Sequence, residues 1–153
     1  MRKADREVKD RNDIFEIVKK GRICHLCIND DVYPYIVPLN YGYEVIGDEL
    51  YLYFHSAMEG RKIDLLKKNN HVSFEIETDN YEHYDENKLM CTEYYESVTG
   101  QGEVFFIEED KKRILDLIMN HYYPEGNKPY NTEVIKRTLV YGLKVKGITG
   151  KRH

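Results

Sequence analysis

Between Ile23 and His55 the chain runs ICHLCI, VYPYIVPLNYGYEVI and LYLYFH, three stretches rich in β-branched and aromatic residues and hence in strand formers. Only Asn29-Asp30-Asp31 and Gly47-Asp48-Glu49 separate them. A parallel pair needs a crossover of a dozen or more residues, so links this short force antiparallel neighbours. The same texture returns in HVSFEIET at 71–78, YYESVTGQGEVFFI at 94–107 and TLVYGLKVKGITG at 138–150. Helical spacing appears at 10–20, where Ile14, Phe15, Ile17 and Val18 form a stripe between capping Asp and Asn residues and Gly21. A second helix is expected over about 57–68 and a third in EEDKKRILDLIMNHY, with Ile114, Leu115, Leu117 and Ile118 facing inward. The acidic segment DNYEHYDENKLMCT at 79–92 has no clear period and reads as a loop. Six antiparallel strands with helices outside them predict a mainly β fold with helices, a small antiparallel barrel.

A chain of 153 residues suits one domain spanning 1–153. No apolar run reaches the roughly 20 residues a membrane helix needs, and the N-terminus does not read as a secretory signal, so a cytoplasmic location is expected. The net charge is -4 and the basic residues are dispersed, which argues against nucleic acid as a partner. There are 14 tyrosines and no tryptophan, so amphipathic rings are plentiful for lining a groove or an interface. Cys24 and Cys27 form a C-x-x-C, yet in a strand they point to opposite faces, and nothing nearby completes a zinc set. With Cys91 the count is odd, so no disulfide framework is expected; Cys24 and Cys27 read as buried structural thiols, and no metal site is expected. His25 and His121 read as packing or capping residues.

Four local features bear on chemistry. In the run from 50 to 55, Leu50, Leu52 and Phe54 alternate with Tyr51, Tyr53 and His55, which predicts one face in the core and one available. Pro34 and Pro38 lack a ladder donor, so their strand needs an unpaired side, a bulge or a ligand. Gly100 and Gly102 suggest a bend or bulge. At the seam Ser56-Ala57-Met58-Glu59 has the form of a capping box, with Arg61 and Lys62 about one turn into the helix that it would start. Helical side chains lean toward the N-terminus, so both cations can fold back over free backbone N–H groups and hold a phosphate. The same residues also fit a solvated amphipathic helix with a lysine-rich wet face.

PYIVPLNYGYE at 34–44, LYFHSAMEGRKIDLLKKN at 52–69, ESVTGQGEV at 96–104 and ITGKRH at 148–153 resemble the nitroimidazole-resistance-type (Nim-like) branch of the pyridoxamine 5'-phosphate oxidase-like, FMN-binding split β-barrels. The resemblance runs over nearly the whole chain, and HSAxxGRK is its most specific part. It implies a six-stranded antiparallel Greek-key split barrel and a homodimer with FMN in grooves between subunits. It also implies that Arg61 and Lys62 hold the phosphate, that His55 and Ser56 lie near the phosphate or ribityl chain, and that Val37, Pro38, Leu39 and Asn40 run along the isoalloxazine. Tyr53 and Phe54 come from the facing strand, and Ser97 is a further candidate. His55 is the candidate catalytic residue, able to donate a proton or hold an acidic substrate; a structural histidine is the other reading. The implied activity is reduction of small acceptors such as nitroimidazoles, with NAD(P)H a possible donor although no G-x-G-x-x-G is present. Alternatives are a pyridoxamine-phosphate-oxidase-like enzyme, against which the KGITGKRH ending speaks, and a flavin- or haem-binding protein without turnover.

Overall fold

In a computed structural model, residues 3–78, 80–126 and 128–153 are described. Strand β1 (Glu7–Val8) precedes helix α1 (Arg11–Lys20), which starts where the Asp10 carboxylate accepts from the Asn12 N–H and ends at Gly21. Strands β2 (Cys24–Ile28), β3 (Tyr35–Leu39), β4 (Gly42–Ile46) and β5 (Glu49–Ala57) lead into helix α2 (Arg61–Lys68). Then come β6 (His71–Glu77), β7 (Tyr81–Asp85), β8 (Met90–Tyr94), β9 (Glu96–Ile107), α3 (Lys111–Tyr122), α4 (Thr132–Lys136) and β10 (Thr138–Arg152).

Eight strands form one sheet in the order β3-β2-β6-β9-β10-β5-β4, with β1 on β10, and all pairings are antiparallel. The chain is therefore a mostly β split barrel with helices on its outside. Six strands were expected; the additions are β1 and the division of 32–46 into β3 and β4. That division has a local cause. Tyr41 turns fully inward, its hydroxyl donating to Val18 O (2.5 Å) and also within reach of Gly21 O (3.0 Å), while its N–H donates to the Tyr122 hydroxyl. The chain leaves β2 at this point and joins β5 instead.

Other expectations are corrected. The segment from 79 to 92 is not a loop throughout, because β7 and β8 pair as a ribbon continuing β6 and β9. Its strands face solvent on both sides, so no alternation marked them. The irregularity expected at Gly100 and Gly102 falls on the opposite strand, between Val145 and Gly147 of β10. The main core lies between the sheet, α1 and α2; a smaller one, of Tyr53, Ile114, Leu115, Ile118 and Val140, lies under α3. Cys24 is in the main core, while Cys27, half-buried, faces the other side of the sheet, so only one of the pair is fully buried. No helix among the described residues is long and apolar enough to cross a membrane.

Candidate functional site

The seam begins as a strand that runs longer than its sequence suggests. His55, Ser56 and Ala57 pair with Val140, Leu139 and Thr138 of β10, so the ladder holds this segment extended until Ala57. The capping box therefore does not form: Ser56 donates its hydroxyl to Ala57 O at 2.8 Å, and the residue at the helix start is Gly60, at φ 132°. That left-handed value favours glycine. Gly60 O accepts from Ile63 N–H (2.8 Å) and Asp64 N–H (3.1 Å), and no side chain caps the helix. Arg61 and Lys62 are thus its first two residues, not one turn in, and their own N–H groups lie in the turn that has no intrahelical acceptor. The opposite edge of β5 is open here too, since the β4 ladder stops at Gly42–Tyr53.

The two cations differ in their surroundings. Arg61 donates through Nε (3.1 Å) and Nη2 to one oxygen of Asp30, and its guanidinium lies 4.9 Å from the centre of the Tyr35 ring. Lys62 is half-buried over the face of Tyr141, with Nζ 5.8 Å from the ring centre, and has no carboxylate within ion-pair distance among the described residues. Burial holds its pKa below the ordinary lysine value. His55, though partly open to solvent, is also held below the ordinary histidine value, first by desolvation and then by the charge of Lys62. An anion placed between these groups and the free helix N–H groups would favour the charged form of both. The site therefore fits a phosphate.

Arg61 also brings β3 to the seam, because Asp30 sits in the β2–β3 turn and Tyr35 opens β3. Along β3, Pro38 and Asn40 are exposed while Val37 and Leu39 are partly buried against the core. β3 is an edge of the sheet, which is why Pro38 costs no ladder bond. Not every candidate converges. Phe54 is fully buried in the main core, and Tyr53 is 4% exposed under α3, its hydroxyl donating to Glu44 at 3.0 Å. The supposedly available face of β5 is in part α3's packing surface, so neither side chain is open to a ligand. Ser97 pairs with Glu77 and Lys151, five residues along β6 from the row of Val72 and Ile28 that meets Tyr35, or about 17 Å from that end. Sequence reasoning passed over Asp30, Tyr35 and Tyr141; the aromatic excess was the available signal. A groove of about 690 Å³ runs along the outer face of the sheet past His25, Cys27, Ile36, Glu75 and Gln101.

Comparison with known proteins agrees with this architecture. The family sequence profile described as Pyridoxamine 5'-phosphate oxidase matches residues 10–152. A candidate 5-nitroimidazole antibiotic resistance protein from Bacteroides thetaiotaomicron is 33% identical, with 95% of this chain and 86% of that one covered at a TM-score of 0.82. A FAD and heme binding protein from Mycobacterium smegmatis superposes at a TM-score of 0.77 with 16% identity, covering 96% and 73% of the two chains. A flavocytochrome from Azotobacter vinelandii gives 0.72 with 17% identity, covering 100% and 72%. Below 25% identity the last two show the shared fold alone. No curated protein matches the sequence significantly.

Proposed function

This chain belongs to the pyridoxamine 5'-phosphate oxidase family, and from that premise we propose that it binds FMN and reduces small acceptors such as nitroimidazoles. The observation that carries the cofactor assignment is Lys62, a half-buried cation with no carboxylate partner among the described residues, at the open N-terminus of α2 beside Arg61, His55 and Ser56. The residues fit a terminal phosphate monoester. When bound, the flavin supplies the electron-transfer chemistry. The chain's part is to bind and orient: Lys62, Arg61 and the α2 N–H groups take the phosphate, while Pro38 and Asn40 present the outer side of β3 to the ring system. His55 lies near the end of β5 beside these cations; a bound phosphate would offset the desolvation and the Lys62 charge that now disfavour its protonated form, and so allow it to deliver a proton to a substrate beside that ring.

Reduction of a nitro group is favoured by the 33% identity with the candidate resistance protein. We place the chain in the cytoplasm as a homodimer, with a second copy over the outer sheet face and NAD(P)H as donor. A pyridoxamine-phosphate-oxidase role is disfavoured by Arg152, which is paired with Glu96 (2.5 Å) and Asp13 (3.9 Å) and so is committed within the chain.

The test is to release the chromophore of the purified protein and identify it by mass. FMN is expected; a haem spectrum, or no chromophore after incubation with FMN, would overturn the reading. Anaerobic reduction with NADPH followed by a nitroimidazole should reoxidise the chromophore, and failure to do so would leave a binder rather than a reductase.

A further inference from the structure

We infer that Asp30 is a positioning residue for the phosphate site, acting through Arg61 to set the preference for a phosphorylated over an unphosphorylated flavin. The inference rests on the flavin-phosphate reading above. Asp30 lies 31 residues before Arg61 in sequence, on the turn between β2 and β3, and its side chain is only 19% exposed against 66% for Arg61. A guanidinium has five N–H donors. Asp30 takes the Nε hydrogen and one on Nη2, both on a single carboxylate oxygen. The Nη1 pair and the second Nη2 hydrogen remain, enough for a bidentate contact with a phosphate. The Tyr35 ring supports the flat face of the same group.

Asp30 takes the side edge, so the two acceptors are compatible. The pair has a second effect, because it ties the first residue of α2 to the turn that launches β3. The phosphate site and the Val37–Asn40 segment are thereby tied together, although one follows β5 and the other lies along the edge strand β3, five places away in the strand order. Side-chain entropy that a free arginine would lose on binding is lost at folding instead.

The test compares FMN with riboflavin, which lacks the phosphate, by flavin-fluorescence titration of the full chain after cofactor removal. Asp30→Asn should weaken FMN about tenfold, the scale of one charge-assisted contact, and leave riboflavin unchanged. Asp30→Glu should recover part of the loss, and adding Asp30→Asn to Arg61→Ala should change nothing further. A merely structural role would weaken both ligands together, and that result, or tighter FMN binding by Asp30→Asn, overturns the inference. If Lys62→Ala also leaves FMN binding intact, the phosphate reading itself has failed and this inference with it. An unchanged thermal midpoint confirms that each variant is folded.

Discussion

Arg61 and Lys62 are adjacent in sequence yet electrostatically unlike, and the difference is testable residue by residue. Lys62 has lost water without gaining a carboxylate among the described residues, so an incoming phosphate would meet a charge not already shared with one of them. Lys62→Ala should weaken FMN binding by about 1.5–3 kcal/mol, roughly 10–150-fold, without lowering the thermal midpoint; unchanged affinity in a titration would remove Lys62 from the site. A second prediction concerns His121, whose Nε2–H donates to Gly21 O at 2.8 Å, and His55. Both are held below the histidine value of 6.5, chiefly by desolvation. The unfolded chain therefore takes up the proton first on acidification. Their contribution to stability is complete above pH 6.5 and is lost as pH falls below it toward the folded-state values. The urea midpoint should be flat on the alkaline side and fall with acid, and His121→Gln, which keeps a donor for Gly21 O, should flatten part of that fall. An acid limb identical to wild type would exclude His121 as a cause.

At the level of elements, the contact between α3 and β4 is close enough to predict from. A Cβ on Gly42 would stand 2.6 Å from Ile118 N and 2.7 Å from Leu117 C, both backbone atoms that cannot swing aside. Gly42→Ala should therefore cost about 1–3 kcal/mol in chemical denaturation, and a neutral result would mean that α3 sits further out. α3 itself was readable, since Ile114, Leu115 and Ile118 recur at helical spacing and are buried. So was α1, from its cap and stripe. The capping box at Ser56 misled because pairing of Ala57 with Thr138 keeps the chain extended two residues longer than local preference allows. The β7–β8 ribbon was missed for the opposite reason. It has no buried face to impose a period, and it is braced by rings: Tyr81 stacks on Tyr94 at 5.0 Å, and Tyr94 on His153 at 5.3 Å.

For the molecule as a whole, the open question is what lies against the outer face of the sheet. The groove there mixes Ile36, Phe74 and Ile148 with the His25–Glu75 pair (3.1 Å) and with Thr99 bonded to Thr149. If a second copy covers it, as the proposed dimer requires, Ser73→Arg should place an unpaired charge in the contact and shift the protein from dimer to monomer in sedimentation velocity. The thermal transition should remain cooperative. A dimer that survives the substitution would move the interface elsewhere.

The antiparallel barrel, α1 to within a residue, the C-terminal ends of α2 and α3, and the seam where Arg61 and Lys62 emerge were all legible along the chain. These follow from hydrophobic period, link length and turn residues, all properties of neighbours along the chain. Folding in three dimensions was needed to bring α3 over Tyr53, to break a continuous β stretch where Tyr41 reaches Val18, and to hold Arg61 over Tyr35 through Asp30. Each joins residues far apart in sequence, where packing and hydrogen-bond accounting across the whole fold, and not local propensity, choose the partner.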